Sequence, residues 1–268
     1  MTAATARQTL LETRLLAGRS LRHIPRIPEK LADVTIQPIV FVLLFAYVFG
    51  SAITVPGGGS YREYLIAGMF AQGMFGPVMG IAVGMAEDVR TGIVDRLRAL
   101  PISRIAVLAG RALSELAQVV IGLAVFSACG LVVGWQPHGT VLETVGAYGL
   151  LILWAFAGVW IGTFLGMVVR SAETAQTVGF TILFPMMFLS AIFVPIGGLP
   201  TPLRQIAEYN PLSCVADALR QLFHNPSPHV SDAWPLTHPV LATVMWSVAL
   251  IALAAPLAVR RYRRLAFA

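Results

Sequence analysis

Six stretches of this sequence are apolar for long enough to cross a lipid bilayer, and that repetition leaves few folds open. They lie near residues 34–53, 64–86, 112–134, 145–169, 177–197 and 239–259. A hydrocarbon core of ~30 Å needs about 20 helical residues. Only 12% of the 268 residues are charged and 57% are hydrophobic, whereas a soluble domain carries about 25% charged residues. Mean hydropathy is +0.76. A chain this apolar must keep much of its surface in lipid. The expected fold class is therefore all-α: a polytopic membrane protein of six transmembrane helices, forming one transmembrane domain over 1–268.

The charges sort by topology. Of the 19 basic residues, sixteen fall in the N-terminal stretch (Arg7 to Lys30), the 87–111 connection (Arg90, Arg96, Arg98, Arg104, Arg111), Arg170 and the tail (Arg260, Arg261, Arg263, Arg264). Only Arg62, Arg204 and Arg220 fall on the other side. The excess of Lys and Arg in cytoplasmic loops then puts both termini in the cytoplasm, which requires an even number of spans. The net charge of +6 forms no single patch of the kind that binds nucleic acid. Residues 1–33 hold six basic residues and no apolar run, and the run that follows is longer than the core of a signal peptide.

Two connections carry structure of their own. Residues 5–24 place Leu10, Ala17, Leu21 and Ile24 at helical spacing, suggesting an interface helix on the cytoplasmic membrane surface; a platform for a soluble partner and a plain anchor both fit. The connection 198–238 contains two helix-like pieces, about 202–209 and 213–223, between prolines. On the second piece Val215, Leu219, Leu222 and Phe223 share a side, with Asp217, Arg220 and Gln221 elsewhere. A re-entrant hairpin dipping into the outer leaflet suits both pieces, and a surface-lying cap remains the alternative.

Motifs for bond chemistry are missing. A phosphate-binding P-loop needs a lysine after a glycine-rich turn, and the one lysine, Lys30, follows Ile27-Pro28-Glu29. There is no HExxH, CxxC or GxSxG, so no catalytic or metal-binding residue is assigned and no cofactor is expected in this chain. The five histidines lie outside the spans. Cys129 and Cys214 imply no disulfide framework. Ion-coupled carriers place acidic groups near the midplane, and none lies well inside a span. Arg111 and Glu115 form an i, i+4 pair near the start of the third span.

Two glycine seams stand out. Gly76, Gly80 and Gly84 repeat every four residues in the second span, and Gly158, Gly162 and Gly166 in the fourth. Small residues at this spacing let helix backbones approach closely, either as static packing or as a sliding contact helped by Pro77. In the connection after the second span, acids and arginines surround Ile93, Val94, Leu97 and Leu100, which share a helical face until Pro101 stops it. That piece is either a solvated loop helix or a helix that takes force from a docked partner.

The run Asp95-Arg96-Leu97-Arg98-Ala99-Leu100-Pro101-Ile102 resembles the cytoplasmic loop of type-2 ABC transporter permeases, particularly the daunorubicin-resistance-like branch. So do Ile27-Pro28-Glu29-Lys30-Leu31-Ala32-Asp33-Val34-Thr35 and Asn210-Pro211-Leu212-Ser213 with Ala216-Asp217-Ala218-Leu219-Arg220. The resemblance covers almost the whole chain, in order. It implies a permease subunit of an ATP-driven exporter that pairs with a second permease, identical or related, and with two copies of a cytoplasmic ABC ATPase. ATP and Mg would be bound by that partner, and this chain would be a non-catalytic subunit of the cell membrane. Residues 87–101 would be the coupling helix, with Glu87, Arg90, Asp95, Arg96, Leu97, Arg98 and Pro101 as docking residues. The substrate would be hydrophobic or amphipathic, with Phe184, Met187 and Phe188 as candidates for its path. A self-contained carrier or channel, or a membrane scaffold, are the alternatives.

Overall fold

The structure is a computed structural model that describes residues 36, 39–49, 55–56, 58–94, 104–228 and 231–264. Helical residues 39–49 close in a π-helical turn, Phe45–Phe49. Nine α-helices follow among the described residues: α1 (Tyr61–Phe75), α2 (Pro77–Arg90), α3 (Arg104–Val133), α4 (Val141–Val168), α5 (Ala172–Phe188), α6 (Thr201–Tyr209), α7 (Pro211–Phe223), the short α8 (Trp234–Thr237) and α9 (Pro239–Arg264). No described residue is in a strand. The interface helix expected at 5–24 lies outside the described residues.

Among the described residues four rods are long and apolar enough to span a bilayer: Tyr61–Arg90, Ala109–Val133, Val141–Val168 and Pro239–Arg264, of 30, 25, 28 and 26 residues. The first joins α1 and α2 across a proline. Pro77 has no N–H to return to the Gly73 carbonyl, so the helix can bend there. Gly76 keeps helical angles (φ −51°, ψ −41°) and its N–H bonds the Gln72 carbonyl at 2.7 Å, so the rod bends without ending. The apolar run near 177–197 does not form one helix. α5 starts earlier and stops at Phe188 after 17 residues, about 25 Å at 1.5 Å per residue. Beyond it the chain turns through 189–195 into a 3₁₀ turn, Ile196–Gly198. The run near 34–53 is described only at 36 and 39–49.

α4 is the central rod. It packs against α2 and α9 and, less extensively, against α1, α3 and α7. Its start is fixed by a capping box: the Thr140 hydroxyl accepts from the Glu143 N–H at 3.3 Å, and the Glu143 carboxylate accepts from the Thr140 N–H at 2.8 Å. Glycines then let neighbours in. A side chain added at Gly162 would meet the Val78 carbonyl at 2.5 Å, and one at Gly166 the Ala82 carbonyl at 2.3 Å. One turn up from Gly158, the fully buried Trp154 stacks on Phe75 at 4.6 Å and donates to the Ala71 carbonyl at 3.2 Å.

α7 is packed into the bundle. Nine of its thirteen residues are buried, and it packs against α1, α4 and α9. Together α1 and α7 supply most of the main apolar core, which gathers Leu65, Phe70, Val215, Leu219 and Phe223 around Trp135.

Candidate functional site

The two sequence-singled glycine rows end up in different surroundings. Gly158 and its two successors all face α2, making one close helix–helix seam. The row on α2 faces elsewhere. Gly76 and Gly80 are exposed, and a side chain built at Gly80 would meet nothing within 4 Å. At Gly84 it would touch Arg111 on α3 at 3.2 Å.

Beside the bare α2 row stands α5, with only Ala175 and Gly179 buried. Its Phe180, Phe184 and Phe188 stack at i, i+4 spacing with centroids 5.0 and 4.7 Å apart. The ladder continues through Phe193 to Phe45 at 5.9 and 4.5 Å. Phe184 and Phe188 are open to the surroundings, whereas Met187 turns inward against the main core.

The docking segment is described only at its stem. Glu87 and Arg90 pair through two bonds, of 3.0 and 2.6 Å. Asp88 pairs with Arg111, so the end of α2 is tied to the helix that re-enters after the loop. Arg111 therefore reaches across to α2, and Glu115 accepts from Gln118 at 3.0 Å. α2 ends where Gly92 takes a left-handed turn (φ +70°), a conformation glycine adopts without steric cost. Residues 93 and 94 are helical again. Val94 is buried in a small cluster with Met85, Met167, Ala258 and Tyr262. The emerging loop thus rests on the ends of α4 and α9. Asp95, Arg96, Leu97, Arg98 and Pro101 lie outside the described residues.

The most tightly bonded site is one that sequence reading passed over. Arg220, expected away from the apolar side of its helix, is fully buried. Its guanidinium donates to the Tyr64 carbonyl at 3.1–3.2 Å, to the Ala191 carbonyl at 2.7 Å and to the Ile192 carbonyl at 3.3 Å. A further bond reaches Asp217 at 2.7 Å, and the cation lies 3.5 Å from the Tyr64 ring centroid. Neighbouring side chains complete the work. Tyr61 and Tyr64 hydroxyls donate to the Phe193 and Ala191 carbonyls at 2.9 and 2.7 Å. Asn210 donates to the Met186 and Leu189 carbonyls, both at 2.7 Å, and Ser213 accepts the Ala191 N–H at 2.9 Å. A helix that ends inside a protein leaves carbonyls without partners. Here α1 and α7 supply those partners for the end of α5. The close approach needs Gly68, where a side chain would strike the Ile192 carbonyl at 2.3 Å.

The same end of the bundle is sealed by the turns after α3 and α7. Trp135 donates to Asn225 at 2.7 Å, Asn225 donates to the Gln136 carbonyl at 3.0 Å, and the His138 N–H reaches the Phe223 carbonyl at 2.8 Å. His224 holds a left-handed conformation (φ 53°) and faces Glu143 at 3.1 Å, while His138 faces Glu63 at 2.9 Å. Burial pushes the Cys214 thiol up to about 12, with nearby Asp217 adding to the shift. Among the described residues no three His, Cys, Asp or Glu side chains gather as a metal site would require.

An all-helical bundle of long apolar rods, with a polar stem at one end and a buried short helix at the other, is an integral membrane protein. The comparisons with known proteins say which. The ABC-2 type transporter family model matches residues 12–224. The chain is 31% identical over 245 residues to the daunorubicin resistance ABC transporter permease protein DrrB1 of Streptomyces coeruleorubidus, covering 91% of this chain and 83% of that protein. It is 24% identical over 267 residues to the probable doxorubicin resistance ABC transporter permease protein DrrC of Mycobacterium tuberculosis, covering 96% and 88%. The chain belongs to the ABC-2 type transporter family, and it is a membrane subunit of an ABC transporter.

Proposed function

We propose that this chain is the permease of an ATP-driven exporter, spanning the membrane six times with both termini in the cytoplasm. Two such permeases pair, and each engages a cytoplasmic ATPase subunit that binds ATP and Mg and does the bond chemistry. The observation that carries the reading is the tied stem. Asp88 with Arg111 links the end of α2 to α3, Glu87 with Arg90 braces the last turn of α2, and Val94 packs on the ends of α4 and α9. A push on that loop is delivered to the central rod rather than lost in a free linker.

The cargo is hydrophobic or amphipathic, in keeping with the drug-resistance relatives and with the open phenylalanine ladder on α5 beside the bare glycine row of α2. Apolar walls with few charges accept such molecules without stranding a polar group. The seam at Gly158, Gly162 and Gly166 lets α2 and α4 move as one body, which suits rigid-body opening between subunits.

The test is gentle purification of the tagged chain from its own host. A nucleotide-binding protein should co-purify in equal amount and be lost when Asp95, Arg96 and Arg98 are replaced by alanine. If no such partner appears, even after mild crosslinking, the exporter reading fails and transport by the chain alone in liposomes becomes the question.

A further inference from the structure

Where α9 leaves the span beside the end of α4, the two helices enclose an open cleft of about 450 Å³. Leu257, Arg260, Arg261 and Arg264 line it from α9, and Phe164 and Val168 from α4. The order along the helices is specific. Phe164 and Leu257 form an apolar wall on the midplane side, and the three arginines follow within two turns toward the helix end. Arg260 and Arg264 are one turn apart on the same face. Arg261 is anchored through Nε to the Met167 carbonyl at 3.2 Å, so its remaining N–H groups are held at the cleft rather than swinging in solvent. Among the described residues no carboxylate pairs with Arg260, Arg261 or Arg264, whereas Glu87 and Asp88 at the stem are already taken by Arg90 and Arg111.

Three guanidinia without counter-ions among the described residues, at the mouth of an apolar cleft between membrane-spanning rods, ask for an anion with a hydrocarbon tail. We propose that this cleft binds an anionic phospholipid. The phosphate takes the fork of Arg261 and the charges of Arg260 and Arg264, as guanidinium planes bind phosphate. An acyl chain lies along Val168, Phe164 and Leu257 toward the bilayer centre. Free phosphate or a nucleotide would meet the arginines but leave the wall wet. A zwitterionic lipid would fill the wall but bring a cation to the arginines. Anionic lipid satisfies both halves in the order in which the helices present them. Basic pockets between spans have this preference as a class. The consequence is mechanical: the lipid bridges α4 and α9 next to Val94, where the docking loop rests.

The site rests on the membrane placement of α4 and α9 and not on the partner ATPase, so the test uses the purified full chain without nucleotide. Phosphatidylglycerol or phosphatidylcholine is titrated in mixed micelles, with retained lipid read by native mass spectrometry and the unfolding midpoint by heating. Phosphatidylglycerol should remain bound and raise the midpoint, and phosphatidylcholine should not. R260Q/R261Q/R264Q should weaken phosphatidylglycerol roughly 100-fold, at about fivefold per arginine, and the triple lysine variant should keep most of the binding. Leu257→Glu, which leaves all three arginines in place, should also release the lipid. Equal retention of both lipids, an unchanged triple glutamine variant, or the same midpoint shift from inorganic phosphate alone would overturn the proposal. None of these results depends on whether an ATPase co-purifies.

Discussion

The two ends of this bundle are held by opposite means. At the end where α7 enters, one arginine, two tyrosines, an asparagine and a serine stitch the turn after α5 to α1 and α7. At the other end, α2, α4 and α9 meet through small apolar clusters, one bidentate pair exposed to solvent and one cross-helix pair. The first arrangement gives the Met186, Leu189, Ala191, Ile192 and Phe193 carbonyls side-chain donors, and moving one part means breaking several bonds together. The second has few such obligations and presents charge outward. Under the proposed function, in which a push arrives at one end, the yielding surfaces are the lightly tied ones. The stitched end moves as a block.

The largest expected effect falls on the stitched end. Arg220→Ala removes the guanidinium from Asp217 and from the Tyr64, Ala191 and Ile192 carbonyls, of which Ala191 keeps the Tyr64 hydroxyl, and breaking a buried pair in this way costs about 3–5 kcal/mol. A marked fall in the thermal unfolding midpoint in detergent checks it. A midpoint within a degree of the parent would mean that the block is not held where the bonds suggest.

Next come the glycine rows. Gly166→Leu must displace the Ala82 carbonyl, and overpacking of this sort costs about 1–3 kcal/mol. Gly80→Leu enters open space and should leave folding within about 0.5 kcal/mol of the parent. Any effect it has should be on transport. Equal destabilisation by the two would erase the distinction drawn between the rows.

Trp135→Phe is smaller. It removes the donor that answers the Asn225 side chain at 2.7 Å, at about 1–2 kcal/mol for an acceptor left without its bond. The effect should show as faster amide exchange in the turns after α3 and α7.

At the lightly tied end, Asp88→Asn should change stability by less than about 1 kcal/mol, as partly exposed ion pairs do. Under the proposed function it should nonetheless reduce co-purification of the ATPase, because the end of α2 then loses its ion pair to α3. A large loss of stability with an unchanged complex would invert that assignment.

The rods were legible because lipid imposes length and apolarity together: the apolar part of α3, Ala109–Val133, and the whole of α4 lie within a few residues of their runs, although α3 itself starts earlier, at Arg104. The cap of α4 left a signal that the sequence reading did not use, Thr140 three residues before Glu143. α5 was placed too late for a physical reason. Hydropathy registers Ser190 to Pro195 as apolar like any helix, but those backbone groups bond to side chains of α1 and α7 far along the chain. The burial of Arg220 was hidden likewise. Its nearest sequence clue, Asp217 one turn away, is equally what a solvated helix shows, and its other partners come from Tyr64 and from the turn after α5. The glycines revealed their spacing but not their facing. A four-residue repeat says that one side is smooth, and only packing decides whether that side meets a helix, as at Gly162, or is left bare, as at Gly80.

Arg220 bonds Tyr64 across 156 positions of chain, which bears on how the protein is made. At ribosomal speeds of about 5–20 residues per second, roughly 8–30 s separate the emergence of the two partners. The turn after α5 emerges near the end of that interval, with the Tyr61 and Tyr64 hydroxyls available to the Phe193 and Ala191 carbonyls but the Tyr64 and Ile192 carbonyls still waiting for the arginine. The arginine that answers them cannot settle alone in lipid. Insertion of α7 is therefore the step that commits the newly made chain to its finished form, and a chain stalled before it should be a natural substrate for membrane proteolysis.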